Sequence, residues 1–253
     1  MKVTFLGTGT SQGVPVIACG CETCRSDDPR DNRLRTSILI EEEGHVIVID
    51  TGPDFRQQML TEKVIKLDAV LLTHEHRDHI AGIDDIRAFN FIQGSAMDIY
   101  ADKRVVRALK YEFPYIFSEN KYPGVPEIKI NLIENSEFSI NGIKIIPIGV
   151  MHYKLPVLGY RIGDFAYITD ANYISEEEKE KLIGVKYLVI NALRKEKHVS
   201  HFSLSQALEI IQELSPRRSY LTHISHQMGL HKKLQDYLPS GIFAAYDGLK
   251  LEI

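Results

Sequence analysis

Short apolar runs recur along the whole chain. Residues 3–6, 36–40, 46–49, 69–72, 129–133, 143–148, 165–168, 187–190 and 219–221 are such runs, many nearly continuous. Continuous runs predict strands covered on both faces, whereas half-buried strands alternate. Between them, residues 80–91, 103–112, 175–182, 203–214 and 231–237 read as helices. Ser175 and Ser203 stand where an N-cap is wanted, since a hydroxyl there accepts from an unpaired amide. Strands come first and are then mixed with helices to the end. That order predicts one α/β domain over residues 1–253, sheet packed on sheet with helices outside. No repeat, low-complexity tract or Pro/Gly-rich linker interrupts it.

The polar residues that follow these runs draw the eye next. Asp50-Thr51-Gly52, His74, His152, Asp170 and His223 each come just after an apolar run. Loops at strand ends gather over a rigid scaffold, which is where layered α/β folds build their sites.

Composition changes this picture little. Hydrophobic residues make up 44% and charged residues 25% of 253, as in ordinary globular proteins. A net charge of -4 gives no broad attraction to nucleic acid,. No run approaches the roughly 18 apolar residues of a membrane span, and the first residues do not read as a secretory signal. A cytoplasmic location is therefore expected, with no membrane partner. The three cysteines all lie in Cys19-Gly20-Cys21-Glu22-Thr23-Cys24. An odd number so closely spaced is a poor disulfide framework and reads as a metal site. The ten histidines cluster at 74/76/79, 152, 198/201 and 223/226.

Thr73-His74-Glu75-His76-Arg77-Asp78-His79 holds four metal-capable side chains besides Glu75. Imidazole and carboxylate suit zinc and similar ions at about 2.0–2.2 Å. A lone histidine such as His152 or His223 is more often structural, and a lone Asp170 more often a turn residue. Together, each closing a strand, they complete a ligand inventory for two ions. The pattern resembles the metallo-β-lactamase superfamily, with its four-layer αββα sandwich and His-x-His-x-Asp-His loop. The resemblance implies that His74, His76 and His152 bind one divalent ion and Asp78, His79 and His223 a second. Asp170 would bridge them, and Asp50 would support the loop from behind.

Three features narrow the chemistry. Cys19, Cys21 and Cys24 offer three of the four ligands that structural zinc wants, and His226 is a natural fourth. His201 precedes a predicted helix and is free to protonate a leaving group near neutral pH; His198 competes for that role. Arg33 and Arg35 lie in the segment after the cysteines, where they could contact a phosphate or serve the fold. Together with Thr8 to Pro15, these motifs resemble the phosphoribosyl cyclic phosphate phosphodiesterases of phosphonate degradation. That branch implies a structural zinc, zinc or manganese in a dinuclear centre, catalytic roles for Asp78 and His201, and a homodimer. The expected reaction is attack on a small phosphodiester by a hydroxide bridging two ions about 3.5–4 Å apart.

Rival readings remain. A tRNA 3′-processing nuclease would need a flexible arm, and residues 95–127 are the one candidate insertion, without the basic, Gly/Pro-rich character required. A glyoxalase-type thioesterase or lactonase would leave the cysteines and His201 without purpose. A non-catalytic binding module would be expected to have lost ligands, and none is missing.

Overall fold

The computed structural model describes residues 1–253. Two mixed sheets face each other. The first begins with β1 (Lys2–Gly7), β2 (Ser37–Glu42), β3 (His45–Ile49), β4 (Ala69–Leu71), β5 (Met97–Ala101) and β6 (Ile128–Leu132). The second holds β7 (Phe138–Ile140), β8 (Ile143–His152), β9 (Leu155–Ile162), β10 (Phe165–Ile168), β11 (Tyr173–Ile174), β12 (Tyr187–Asn191), β13 (Arg218–Thr222) and β14 (Ile242–Ala244). The last strand, β15 (Lys250–Glu252), returns to the first sheet beside β1. Within each sheet an antiparallel part gives way to a parallel one, β3-β4-β5-β6 in the first and β10-β12-β13-β14 in the second.

Three apolar clusters separate four layers, as the αββα reading expects. Strand side chains alternate between faces, so Ile47 and Ile49 meet Tyr160, Tyr167 and Tyr220 of the other sheet. Val48 faces the other way, with Phe55, Ile83 and Val105 of the first helical layer. Across the second sheet, Ile168, Ile190 and Leu221 pack with Leu204, Ile211 and Leu234 of the other helical layer. No helix is long and apolar enough to cross a membrane.

Several elements depart from the periodicity. The run expected as one helix over 80–91 is the short helix Arg77–Ile80, a 3-10 turn Ile83–Ile86 and the helix Arg87–Gln93. Gly82 interrupts it: its amide donates to Thr51 O, and a Cβ there would stand 2.2 Å from Gly52 O. The helix Phe55–Glu62 has no apolar stripe to advertise it, because only Phe55, Gln58 and Met59 of its eight residues are buried. In β9, Pro156 and Gly159 read as breakers, yet Gly159 lets that strand lie against Tyr167, whose carbonyl would be 2.8 Å from an added Cβ,. Ser203 caps the helix Leu204–Leu214 through a full capping box with Gln206,. Residues 95–127 carry β5 and the helix Lys103–Glu112, so much of the segment weighed as a nuclease arm is built into the first sheet and its helical layer.

Candidate active site

The strand ends place the chemistry. Asp50 follows β3, Thr73 and His74 follow β4, His152 ends β8, Asp170 follows β10 and His223 follows β13. Asp50, Asp170 and His223 have left-handed backbones, at φ 66°, 52° and 54°. Such conformations in non-glycine residues cost energy and gather at functional sites.

A chain of hydrogen bonds fixes which imidazole nitrogen carries its proton. Thr73 donates to buried Asp50 through its amide at 2.9 Å and its hydroxyl at 2.9 Å. With that hydroxyl proton committed, His74 Nδ1, 2.9 Å from Thr73 Oγ1, is the donor. His79 Nδ1 donates to Asp50 Oδ2 at 2.6 Å, and His152 Nδ1 donates to the Ser200 carbonyl at 2.7 Å. In all three rings the Nε2 lone pair is left for the interior, the arrangement that second partners impose on metal-binding histidines.

Those lone pairs converge. His74 Nε2 is 3.0 Å from His76 Nδ1. His79 Nε2 is 3.2 Å from both Asp78 Oδ2 and Asp170 Oδ2. His223 Nε2 is 3.1 Å from Asp170 Oδ1 and 4.0 Å from Asp78 Oδ2. The His74 and His152 ring centroids are 5.9 Å apart, those of His76 and His152 5.1 Å. Asp78, His79, Asp170 and His223 bring one ligand atom each within 4.8 Å of one another.

The electrostatics ask for positive charge at the centre. Burial opposes ionisation of Asp170, yet His223 and His79 hold its carboxyl well below the usual range. Burial likewise opposes charge on Asp78, and His79 outweighs it. Burial pulls His79 down, but with no cation between them Asp78, Asp170 and Asp50 hold it well above the ordinary imidazole value, with a proton on Nε2 that a bound ion would replace. His74, with burial dominant, is held neutral. Buried His79 Nε2 and both nitrogens of His223 lack a well-formed hydrogen bond, which is rare for buried polar atoms. Divalent ions fit these residues, because they supply both the charge and the missing partners.

His201 joins this cluster, with Nε2 3.1 Å from Asp170 Oδ1 and its ring stacked on His223 at 4.8 Å. Burial pulls its pKa down to about 4. His198 stands one place further out, its Nδ1 3.2 Å from His201 Nδ1.

A second cluster lies apart in sequence. His226 Nδ1 is 3.3, 3.4 and 3.5 Å from the sulfurs of Cys19, Cys21 and Cys24. Ligands of a tetrahedral zinc lie roughly 3.6 Å apart at ordinary bond lengths. The Cys24 amide donates to Cys21 Sγ, and the Val16 amide to Cys24 Sγ. The first of these bonds brings the Cys21 thiol down to about 6, while burial pushes Cys24 up to about 11. Three sulfurs around one nitrogen do not all ionise without a cation, and a dication fits them.

The arginines go elsewhere. Arg33 is buried, donating to Thr8 Oγ1 at 2.8 Å and Ala245 O at 2.5 Å, with His231 Nδ1 3.2 Å away. A buried guanidinium needs internal acceptors, so of the two roles left open for Arg33, substrate contact or the fold, these bonds favour the fold,. Arg35 pairs with Asp54 at 3.1 Å and donates to Ser11 O. Thr73 and the Ser200 carbonyl were not singled out in the sequence; their one signal is adjacency to His74 and His201.

Known proteins share this architecture. A family model for the beta-lactamase superfamily domain matches residues 45–224. A crystal structure described as a new diphosphatase from the PhnP family superposes with a TM-score of 0.93 at 40% identity, covering 100% of this chain and 97% of that one. A curated octanoyltransferase of Porphyromonas gingivalis is 42% identical over 99% of this chain, which spans about half (51%) of that relative's length. A ribonuclease Z of Borrelia duttonii is 25% identical over 88% of this chain and 93% of its own. With a model match across most of its length and a full-length PhnP-family neighbour, the chain belongs to the beta-lactamase superfamily, in its PhnP branch.

Proposed function

We propose that residues 1–253 act as one unit that hydrolyses a small phosphoric diester or diphosphate, using two divalent ions, zinc or manganese. His74, His76 and His152 would hold one ion, Asp78, His79 and His223 the other, with Asp170 between. The observation that carries the reading is the meeting of His79 Nε2 and His223 Nε2 on Asp170, in a chain 40% identical to a described diphosphatase. Ions bound there acidify water and neutralise charge growing on phosphoryl oxygens. Asp50 and Thr73 keep the imidazoles in their binding tautomers. Asp78 and Asp170 set the negative charge that draws the ions in. His201, touching Asp170 but outside the two ligand sets, would donate a proton to the departing oxygen once a bound phosphoryl anion raises its pKa from the value of about 4 that burial sets,. Cys19, Cys21, Cys24 and His226 would hold a third, structural zinc that pins the N-terminal loop to the loop after β13.

Metal content and turnover test this together. Protein purified with zinc or manganese is expected to hydrolyse bis(p-nitrophenyl) phosphate faster than a thioester; the reverse preference refutes the reading in favour of a thioesterase. His201→Ala is expected to keep its metals and lose roughly 10²- to 10⁴-fold in kcat, the scale of a general acid. Because His201 also lies within ligand reach of His152 and Asp170, loss of an ion in that variant would reassign it as a ligand.

A further inference from the structure

A cavity of about 450 Å³ opens beside His76 and His152. Its outer wall is the two-residue turn between β8 and β9, Tyr153-Lys154, and Leu155 beyond it. Val199 and Ser200 form the opposite wall.

Tyr153 is out of place as a structural residue. Its φ is 57°, in a turn position where glycine or asparagine is usual,. A tyrosine there bears backbone strain, and its 55% exposed side chain gains little packing in return,. The strain is nevertheless fixed in place. Asn172 Oδ1 accepts from the Tyr153 amide at 2.6 Å, and Asn172 Nδ2 donates to Val199 O at 3.2 Å. One side chain thus ties both walls of the cavity together. The Lys154 ammonium lies 5.4 Å from the Tyr153 ring centroid, within cation–π range. An open aromatic ring and a cation, held at the lip of a metal-binding cluster, match a ligand with a flat ring and an anionic group.

We propose that this cavity is a subsite for the heterocycle of a nucleoside-type phosphoric ester, with the ring stacked on Tyr153 and its phosphate beside Lys154 and the His76/His152 cluster. This rests on the phosphoric-ester reading above and narrows its substrate class.

Binding tests it without relying on turnover. Zinc-loaded protein is titrated with thymidine 5′-monophosphate, ribose 5-phosphate and methyl phosphate. Base–aromatic stacking leads us to expect wild type to prefer the nucleotide over both others by roughly 5- to 150-fold. Tyr153→Phe should keep that preference. Tyr153→Gly and Tyr153→Asn should bring it within about twofold of parity without lowering Tm, since both residues accept the left-handed turn. A wild type without the preference, ribose 5-phosphate bound as tightly as the nucleotide, or a preference surviving in Tyr153→Gly would each overturn the subsite. Failure of wild type to hydrolyse bis(p-nitrophenyl) phosphate would instead sink the hydrolase reading, while the binding ratios still decide the subsite.

Discussion

Replacing Asp50 with asparagine separates its shape from its charge. In the wild type Asp50 is fully buried and accepts from the Thr73 amide, the Thr73 hydroxyl and His79 Nδ1. Asparagine keeps an oxygen for the two Thr73 donors and tolerates the left-handed backbone at φ 66°,. Its amide nitrogen, however, meets His79 Nδ1 with another donor. His79 must then carry its proton on Nε2, which removes the lone pair aimed at Asp78 and Asp170. The variant should fold, with Tm within a few degrees of wild type, yet bind the ion on the His79 side about 10- to 100-fold more weakly, the usual effect of losing such a partner. That is about 1.4–2.8 kcal/mol. Asp50→Ala behaves differently. It strands three buried donors at about 1–3 kcal/mol each, a large share of the roughly 5–15 kcal/mol that holds a domain together, so it should compromise folding itself. Metal retention against graded chelator, read by elemental analysis beside a thermal melt, distinguishes the two. An asparagine variant that holds both ions with wild-type affinity would refute the tautomer argument.

Other substitutions probe neighbouring features. Gly52→Ala would put a Cβ 2.1 Å from the Asp78 carbonyl, so the loop carrying Asp78 must shift; metal content and turnover should fall together, and an unchanged variant would show that this approach does not matter. Cys21→Ser is expected to lower the metal content from about three to two per chain while keeping part of the activity; an unchanged count would remove the structural site. His231 is buried beside Arg33, and burial first, then the cations Arg33 and Arg30, bring its pKa down to about 4. It stays neutral in the fold while the unfolded chain takes up a proton near 6.5. Its stabilising effect is therefore complete above pH 6.5 and is lost as pH falls toward 4. Between pH 7.5 and 5 this amounts to at most about 2 kcal/mol. Urea melts should show His231→Gln losing less stability than wild type over that interval, and equal losses would refute the sign.

Much of the architecture was legible because burial writes itself into strand sequence. The apolar runs ending before Asp50, His74, Asp170 and His223 are strands covered on both sides, and the polar residue beyond each one emerges at a common edge. The helices with a clear stripe or cap, Lys103–Glu112 and Leu204–Leu214, were equally readable. The helix Phe55–Glu62 and strand β9 were not, since one has few buried positions and the other uses Pro156 and Gly159 for a close approach between strands.

The sequence by itself determined which residue types stand at the strand ends, because side-chain chemistry and strand periodicity are local properties. Only the tertiary structure decided what each does. Arg33 and Arg35 read alike in the sequence, but packing buried the first against Ala245 and left the second on Asp54. His226 meets Cys19 across 207 positions, a contact no local period encodes. Tyr153 is an ordinary turn residue until β8 and β9 hold it over the cavity beside His152. Each of these depends on long-range packing, which fixes the partner and the direction of a side chain whose identity alone leaves both open.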